Sequence, residues 1–201
     1  VTEELVDMIL KKINQSKKPI RILDIGTGSG CIIVSIAKNS LIRPISPTSR
    51  TPQFFASDIS SPALTIAKKN ARAHKVKITF KQGSLLKPWS NQHFDIIVAN
   101  LPYLAKETDP STKHEPKLAL VAKNKGLALI EQLFQQLTQP PYFPYSPNLP
   151  STLILEIGHD QNLAIKKLAV KYLPAFDIKV SNDITGQMRF AVLSLKSEAK
   201  L

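Results

Sequence analysis

A short apolar strand that runs into a glycine-rich turn and then a helix narrows the choice of fold more than any other feature of this 201-residue chain. Ile20 to Ile25 supplies the strand, Asp24-Ile25-Gly26-Thr27-Gly28-Ser29-Gly30 the turn, and Ile32, Ile33 and Ile36 the buried side of a helix predicted over 30–39. Glycines let the backbone reverse tightly and come close to a ligand. Such a unit belongs to open, largely parallel sheets covered by helices on both faces. A glycine turn of this kind also serves without any ligand, so the pattern is only moderately specific.

The rest of the chain repeats the alternation. Leu5, Val6, Ile9, Leu10 and Ile13 recur at helical spacing and predict an amphipathic lead-in helix over 3–16, within a lead-in of residues 1–17. Strands are expected at Phe54 to Ala56 (ending at Asp58), Val76 to Phe80, Asp95 to Ala99 and Leu153 to Ile157. Helices are expected from Pro62 to Ala73 with Ser60 or Ser61 as cap, from Gly126 to Leu137, and from after Gly158 to Tyr172. Phe176 to Val180 and Phe190 to Leu195 have no helix between them and should form a hairpin, which brings one antiparallel strand into the sheet. Two proline-rich stretches, 43–53 and 138–151, read as surface loops. The whole of 1–201 is expected to be one domain.

Bulk properties narrow the function. Cys31 is the sole cysteine, which excludes a disulfide framework and a cysteine-rich metal site. His93, His114 and His159 lack metal-ligand spacing, so no metal is expected. No run reaches the length of a membrane span and the start, Val1-Thr2-Glu3-Glu4, is unlike a signal peptide, so a cytoplasmic location and no membrane partner are expected. A formal charge of +12 would attract RNA, DNA or an RNA-rich assembly, and it equally fits lysines scattered over solvated helices.

The turn discriminates among ligands. No Gly-Lys-Ser/Thr follows it, which argues against a phosphate loop. The sixth position from Gly26 is Cys31, where a dinucleotide fingerprint wants glycine. Asp24 would repel a pyrophosphate but suits an ammonium, or a water beside a zwitterion. Asp58, closing the second strand, can accept both hydroxyls of a ribose. S-adenosylmethionine fits this arrangement: ribose on Asp58, methionine moiety over Gly26, Thr27, Gly28 and Gly30. NAD fits it less well.

Behind the apolar run Phe94-Asp95-Ile96-Ile97-Val98-Ala99 stand Asn100-Leu101-Pro102-Tyr103. They place a hydrogen-bonding amide and a flat ring at a strand end, the edge where open α/β sheets hold ligands. A plain turn, with the asparagine capping the chain reversal, is the alternative.

Taken together, these fragments resemble the protein-(glutamine N5) methyltransferases that modify the Gly-Gly-Gln loop of peptide chain release factors. The resemblance runs through Thr2 to Val6, Leu23 to Gly30, Ala56 to Ser60, Asn70-Ala71, Gly83, Phe94 to Tyr103, Glu115-Pro116, Gly126-Leu127, Leu155 to Gly158 with Gln161, and Asp183 with Gly186 and Arg189. It implies a Rossmann-like class I S-adenosylmethionine-dependent fold, with a seven-stranded, mostly parallel sheet and a C-terminal antiparallel strand. It also implies Asn100, Leu101, Pro102 and Tyr103 as the cradle of the substrate amide, Ile59 and Ser84 as further cofactor contacts, and Glu115 and Pro116 near the substrate loop. A release factor is the expected partner, with the ribosome and nucleic acid as further ones and the protein a monomer. The helical N-terminal domain of such enzymes has no counterpart in these residues.

Two positions depart from the family pattern. Leu101 replaces the first proline of Asn-Pro-Pro-Tyr, keeping the carbonyl but not the stiffness. Ser84 stands where relatives carry an acid or amide toward the adenine, and it reaches less far. Two other functions share the motif: methylation of adenine N6 or guanine N2 in nucleic acid, and cofactor binding with weakened catalysis.

Overall fold

The computed structural model describes residues 2–16, 18–42, 51–101, 127–139 and 149–197. Seven strands and five α-helices are found among them. In chain order they are α1 (Thr2–Gln15), β1 (Arg21–Ile25), α2 (Cys31–Ile42), β2 (Gln53–Asp58), α3 (Ser61–Ala73), β3 (Ile78–Gln82), β4 (Ile96–Ala99), α4 (Ala128–Leu137), β5 (Thr152–Glu156), α5 (Asn162–Tyr172), β6 (Phe176–Asn182) and β7 (Met188–Leu195). The sheet order is β3-β2-β1-β4-β5-β7-β6. Pairs among β1 to β5 are parallel, whereas β7 runs antiparallel to both β5 and β6. The expected hairpin therefore forms, and its second strand inserts between β5 and β6.

Strand residues alternate between two cores because successive side chains leave opposite faces. Ile22, Ile96, Val98 and Ile154 join the apolar faces of α1 and α2, where Leu5, Ile9, Ile33 and Ile36 are fully buried. Leu23, Ile97, Leu153 and Leu155 turn to the other side and meet Leu133 and Phe134 of α4 and Ile165 of α5. Burial on both faces explains why these strands read as continuous apolar runs.

The boundaries differ from expectation where tertiary bonds intervene. β3 starts at Ile78 rather than Val76, because the Val76 amide still donates to the Ala71 carbonyl (3.0 Å) and Lys75 turns the chain with φ 56°. Asp95 stands just ahead of β4: its carboxylate accepts the Arg21 amide (2.7 Å) and pairs with His93 (3.3 Å). Burial would raise its pKa, yet the bonds to His93 and Arg21 hold it below the ordinary carboxylate value. A 3₁₀ turn at Lys87–Trp89, not anticipated, seats Trp89 edge-on against Phe55 and Phe94.

Candidate active site

The turns after β1, β2 and β3 meet at one edge of the sheet and are knitted together around Asp58. The amides of Gly26 and Thr27 both donate to the Ser57 carbonyl, at 2.9 and 3.0 Å, which pins the glycine turn to the end of β2. Asp58 accepts the Gly28 amide on Oδ2 and the Ser60 amide on Oδ1, each at 2.8 Å. Its own carbonyl accepts the Gly83 amide at 3.0 Å, so Ser84 is held beside it. Ser60, not Ser61, caps α3, its side-chain oxygen accepting the Ala63 amide at 3.3 Å. Ile59 is 66% exposed, an apolar surface adjoining the Asp58 carboxylate.

Helix α3 supports the glycine turn from behind. The Asn70 side chain donates to the Ser29 carbonyl (2.9 Å). At Gly30, with φ 82°, an added Cβ would meet the Ala67 Cβ at 3.1 Å and its Cα at 3.3 Å. Only glycine allows that approach.

Asp24 is fully buried, and its two carboxylate oxygens differ. Oδ2 accepts the Thr27 hydroxyl at 2.6 Å, whereas Oδ1 is buried without a hydrogen bond. Burial pushes its pKa up to about 7; the Thr27 hydroxyl opposes this, the Asp58 carboxylate adds to it, and the Ile33 amide opposes it weakly. A buried acceptor with no donor is costly. It is a place for a cationic or N–H-bearing ligand group. The Thr27 side chain is thereby committed to Asp24 rather than offered to the cleft.

Asn100 and Leu101 follow β4 directly, and Ala99 pairs with Ile25, so they lie beside the glycine turn. A Cβ on Gly26 would meet Leu101 Cδ2 at 3.1 Å and the Asn100 carbonyl oxygen at 4.0 Å. Leu101 is only 4% exposed and joins the core that holds Ile25 and Leu155. Its anchored side chain restrains the backbone freedom that leucine has in place of proline. Asn100 is half-buried. Pro102, Tyr103, Glu115 and Pro116 lie outside the described residues.

The same edge holds Glu156 to Gly158 with Gln161, and the turn of Asp183, Gly186 and Arg189. Glu156, ending β5, is buried; the Ile157 amide donates to the Arg189 carbonyl (2.8 Å), and Gly158 donates to Gln161 Oε1 (2.9 Å). Asp183 ties the β6–β7 turn by accepting the Thr185 hydroxyl (2.6 Å) and the amides of Thr185 and Gln187, with Arg189 Nε at 3.5 Å. These residues build the hairpin. Nothing local in the sequence signals the Ser57 carbonyl as the seat of the glycine turn, or Gly83 as a partner of Asp58, since both depend on how separate strands align.

The profile of a methyltransferase domain matches residues 16–142. The chain belongs to this family. Over 95% of its length the methyltransferase domain is 34% identical to a release factor glutamine methyltransferase of Enterococcus faecalis, and over 94% it is 36% identical to that of Lactococcus lactis. It spans 65% of the length of each of these relatives. Among solved structures it resembles a ribosomal protein L11 methylase from Lactobacillus delbrueckii, with a TM-score of 0.63 at 21% identity over 97% of this chain and 78% of that one. A magnesium protoporphyrin IX methyltransferase from Synechocystis, solved with S-adenosylmethionine bound, gives 0.58 at 14% over 96% and 79%. These two likenesses establish the class I methyltransferase fold.

Proposed function

We propose that this domain transfers a methyl group from S-adenosylmethionine to the side-chain amide nitrogen of the glutamine in the Gly-Gly-Gln loop of a peptide chain release factor. The observation that supports the reading is that Asn100 and Leu101 leave the end of β4 beside the glycine turn, where a Cβ on Gly26 would come within 3.1 Å of Leu101 Cδ2 and 4.0 Å of the Asn100 carbonyl oxygen. The names of the relatives at 34 and 36% identity support the choice of substrate.

The residues fit the cofactor. Asp58 would hold the ribose, Ile59 one face of the adenine with Ser84 at its rim, and the turn of Gly26, Thr27, Gly28 and Gly30 would run under the methionine moiety, with open space at Gly28. The unpartnered Asp24 Oδ1 suits its ammonium, directly or through water. When bound, S-adenosylmethionine supplies a methyl group activated by its sulfonium. The chain itself must align a poor nucleophile, because the lone pair of an amide nitrogen is delocalised into the carbonyl. Asn100 Oδ1 and the Leu101 carbonyl would accept the two amide hydrogens and aim the nitrogen. Pro102 and Tyr103 take the wall of the cradle, and Glu115 and Pro116 the adjoining loop, by resemblance. Once methylated, the nitrogen loses its surplus proton to solvent as amide resonance returns.

The domain, incubated with S-adenosylmethionine and a release factor, should add one methyl to the Gly-Gly-Gln glutamine, read by peptide mass spectrometry. Asn100→Ala should lower turnover more than about tenfold and leave cofactor affinity nearly unchanged. Methylation of an RNA pool but not of the factor would overturn the substrate, and labelling of neither would point to a binding protein. The ribosome and nucleic acid are proposed as further partners on the strength of the +12 charge.

A further inference from the structure

The charge of the chain is unevenly placed. Residues 25–94 contain ten lysines and arginines and a single acid, Asp58. Asp58 is turned into the cleft, where it accepts the Gly28 and Ser60 amides. The strand order puts the C-terminal part of this stretch, α3 and β3, at one flank of the sheet, with β3 as the edge strand. Lys68, Lys69 and Arg72 are exposed on α3, Lys75 is exposed on the turn, and Lys77 is exposed ahead of β3. The pairs 68/72 and 69/72 are neighbours on one helical face. None of the five makes an ion pair with a described residue. Like charges so gathered repel one another, and no described acid offsets them.

We infer that the α3–β3 flank is a docking surface for the phosphate backbone of duplex RNA, separate from the methyl-transfer cleft. Phosphates complement a basic surface without acids and release counterions on binding. The aromatic rings among the described residues of the flank are the half-buried Phe80 and the exposed His74, a small stacking surface beside the platforms that single strands use. Ile66 is the one large apolar residue exposed on α3, too little for insertion into a lipid surface. The choice of RNA over DNA rests on the proposed function, since a release factor is a protein of translation and RNA is the nucleic acid of that process. The docking itself does not depend on which group is methylated.

The test is direct binding, without turnover. A fluorescein-labelled RNA duplex should bind the domain with a Kd that rises steeply with salt. The triple variant Lys68→Ser, Lys69→Ser, Arg72→Ser should bind at least about tenfold more weakly at low salt, its log–log salt slope shallower by about two to three units. A control, Lys11→Ser, Lys166→Ser, Lys167→Ser, removes the same charge elsewhere and should lose less than about threefold. Circular dichroism melts verify that both variants fold. Methylation of isolated release factor should be unchanged in the triple variant, so failure of docking and failure of the substrate assignment are told apart. Equal losses in triple variant and control, no RNA binding by the parent, tighter binding to the matching DNA duplex, or binding to phosphatidylserine vesicles in place of RNA would each overturn the inference.

Discussion

Asp24 is the residue whose chemistry is most altered by its place in the fold. Its pKa rises from 3.8 to about 7 through burial, so the folded state holds a proton that the unfolded chain gives up at lower pH. Below the unfolded value both states are neutral and Asp24 costs nothing; the cost grows as pH rises between the two values and is complete above about 7. Asp24→Asn should therefore stabilise the ligand-free domain at pH 8, on the order of 2 kcal/mol, and leave it nearly unchanged at pH 3.5, as thermal melts would read. A cationic ligand group should favour the ionised form, so cofactor affinity is expected to rise with pH up to about 7 and to lose that dependence in the variant. The glycines offer a second contrast. Gly28 has open space where a Cβ would stand, whereas Gly30 has Ala67 at 3.1 Å. Both have positive φ, so alanine costs roughly 1–2 kcal/mol at Gly28 and about 1–3 kcal/mol more at Gly30, a difference that urea titration would resolve.

Among the elements, the β6–β7 hairpin is held by a carboxylate rather than by turn propensity alone. The Thr185 hydroxyl, the Gln187 and Thr185 amides and Arg189 hold the Asp183 pKa below its ordinary value. A depressed pKa means that this stabilisation is present above the unfolded carboxylate range and is lost as pH falls through the folded value. Asp183→Asn should lower the melting temperature at pH 7 and flatten its decline below pH 4. Helix α3 depends on a cap of the ordinary kind, and Ser60→Ala should cost about 1 kcal/mol in chemical denaturation. The capping serine was legible to within one residue because Ser-Pro signals a helix start; the choice of Ser60 follows from Asp58, which holds the Ser60 amide.

At the scale of the whole molecule, the site draws on β1, β2, β3 and β4 together, so ligand binding and folding are linked. S-adenosylhomocysteine at 100 times its Kd should add about 2.7 kcal/mol and raise the melting temperature by roughly 5–10 °C. No shift at millimolar ligand would reject the cofactor assignment. The alternating strands and helices, the glycine turn, and the places of Asp58 at the end of β2 and Asn100 after β4 were legible in the sequence, because each is a local pattern set by side-chain period and backbone freedom. Strand order and register were not, because they arise from pairing between segments distant along the chain. Gly28 reaches Asp58 and Gly83 reaches its carbonyl only when β1, β2 and β3 stack in parallel register. Lys68, Lys69, Arg72, Lys75 and Lys77 cluster locally, within ten residues of chain, and what the strand order adds is that the α3–β3 unit carrying them stands at the edge of the sheet. The sequence by itself determined the strands, helices and glycine turn from which the candidate site is built; the tertiary structure decided which of their residues meet, because a bond between strands exists only once the sheet has assembled.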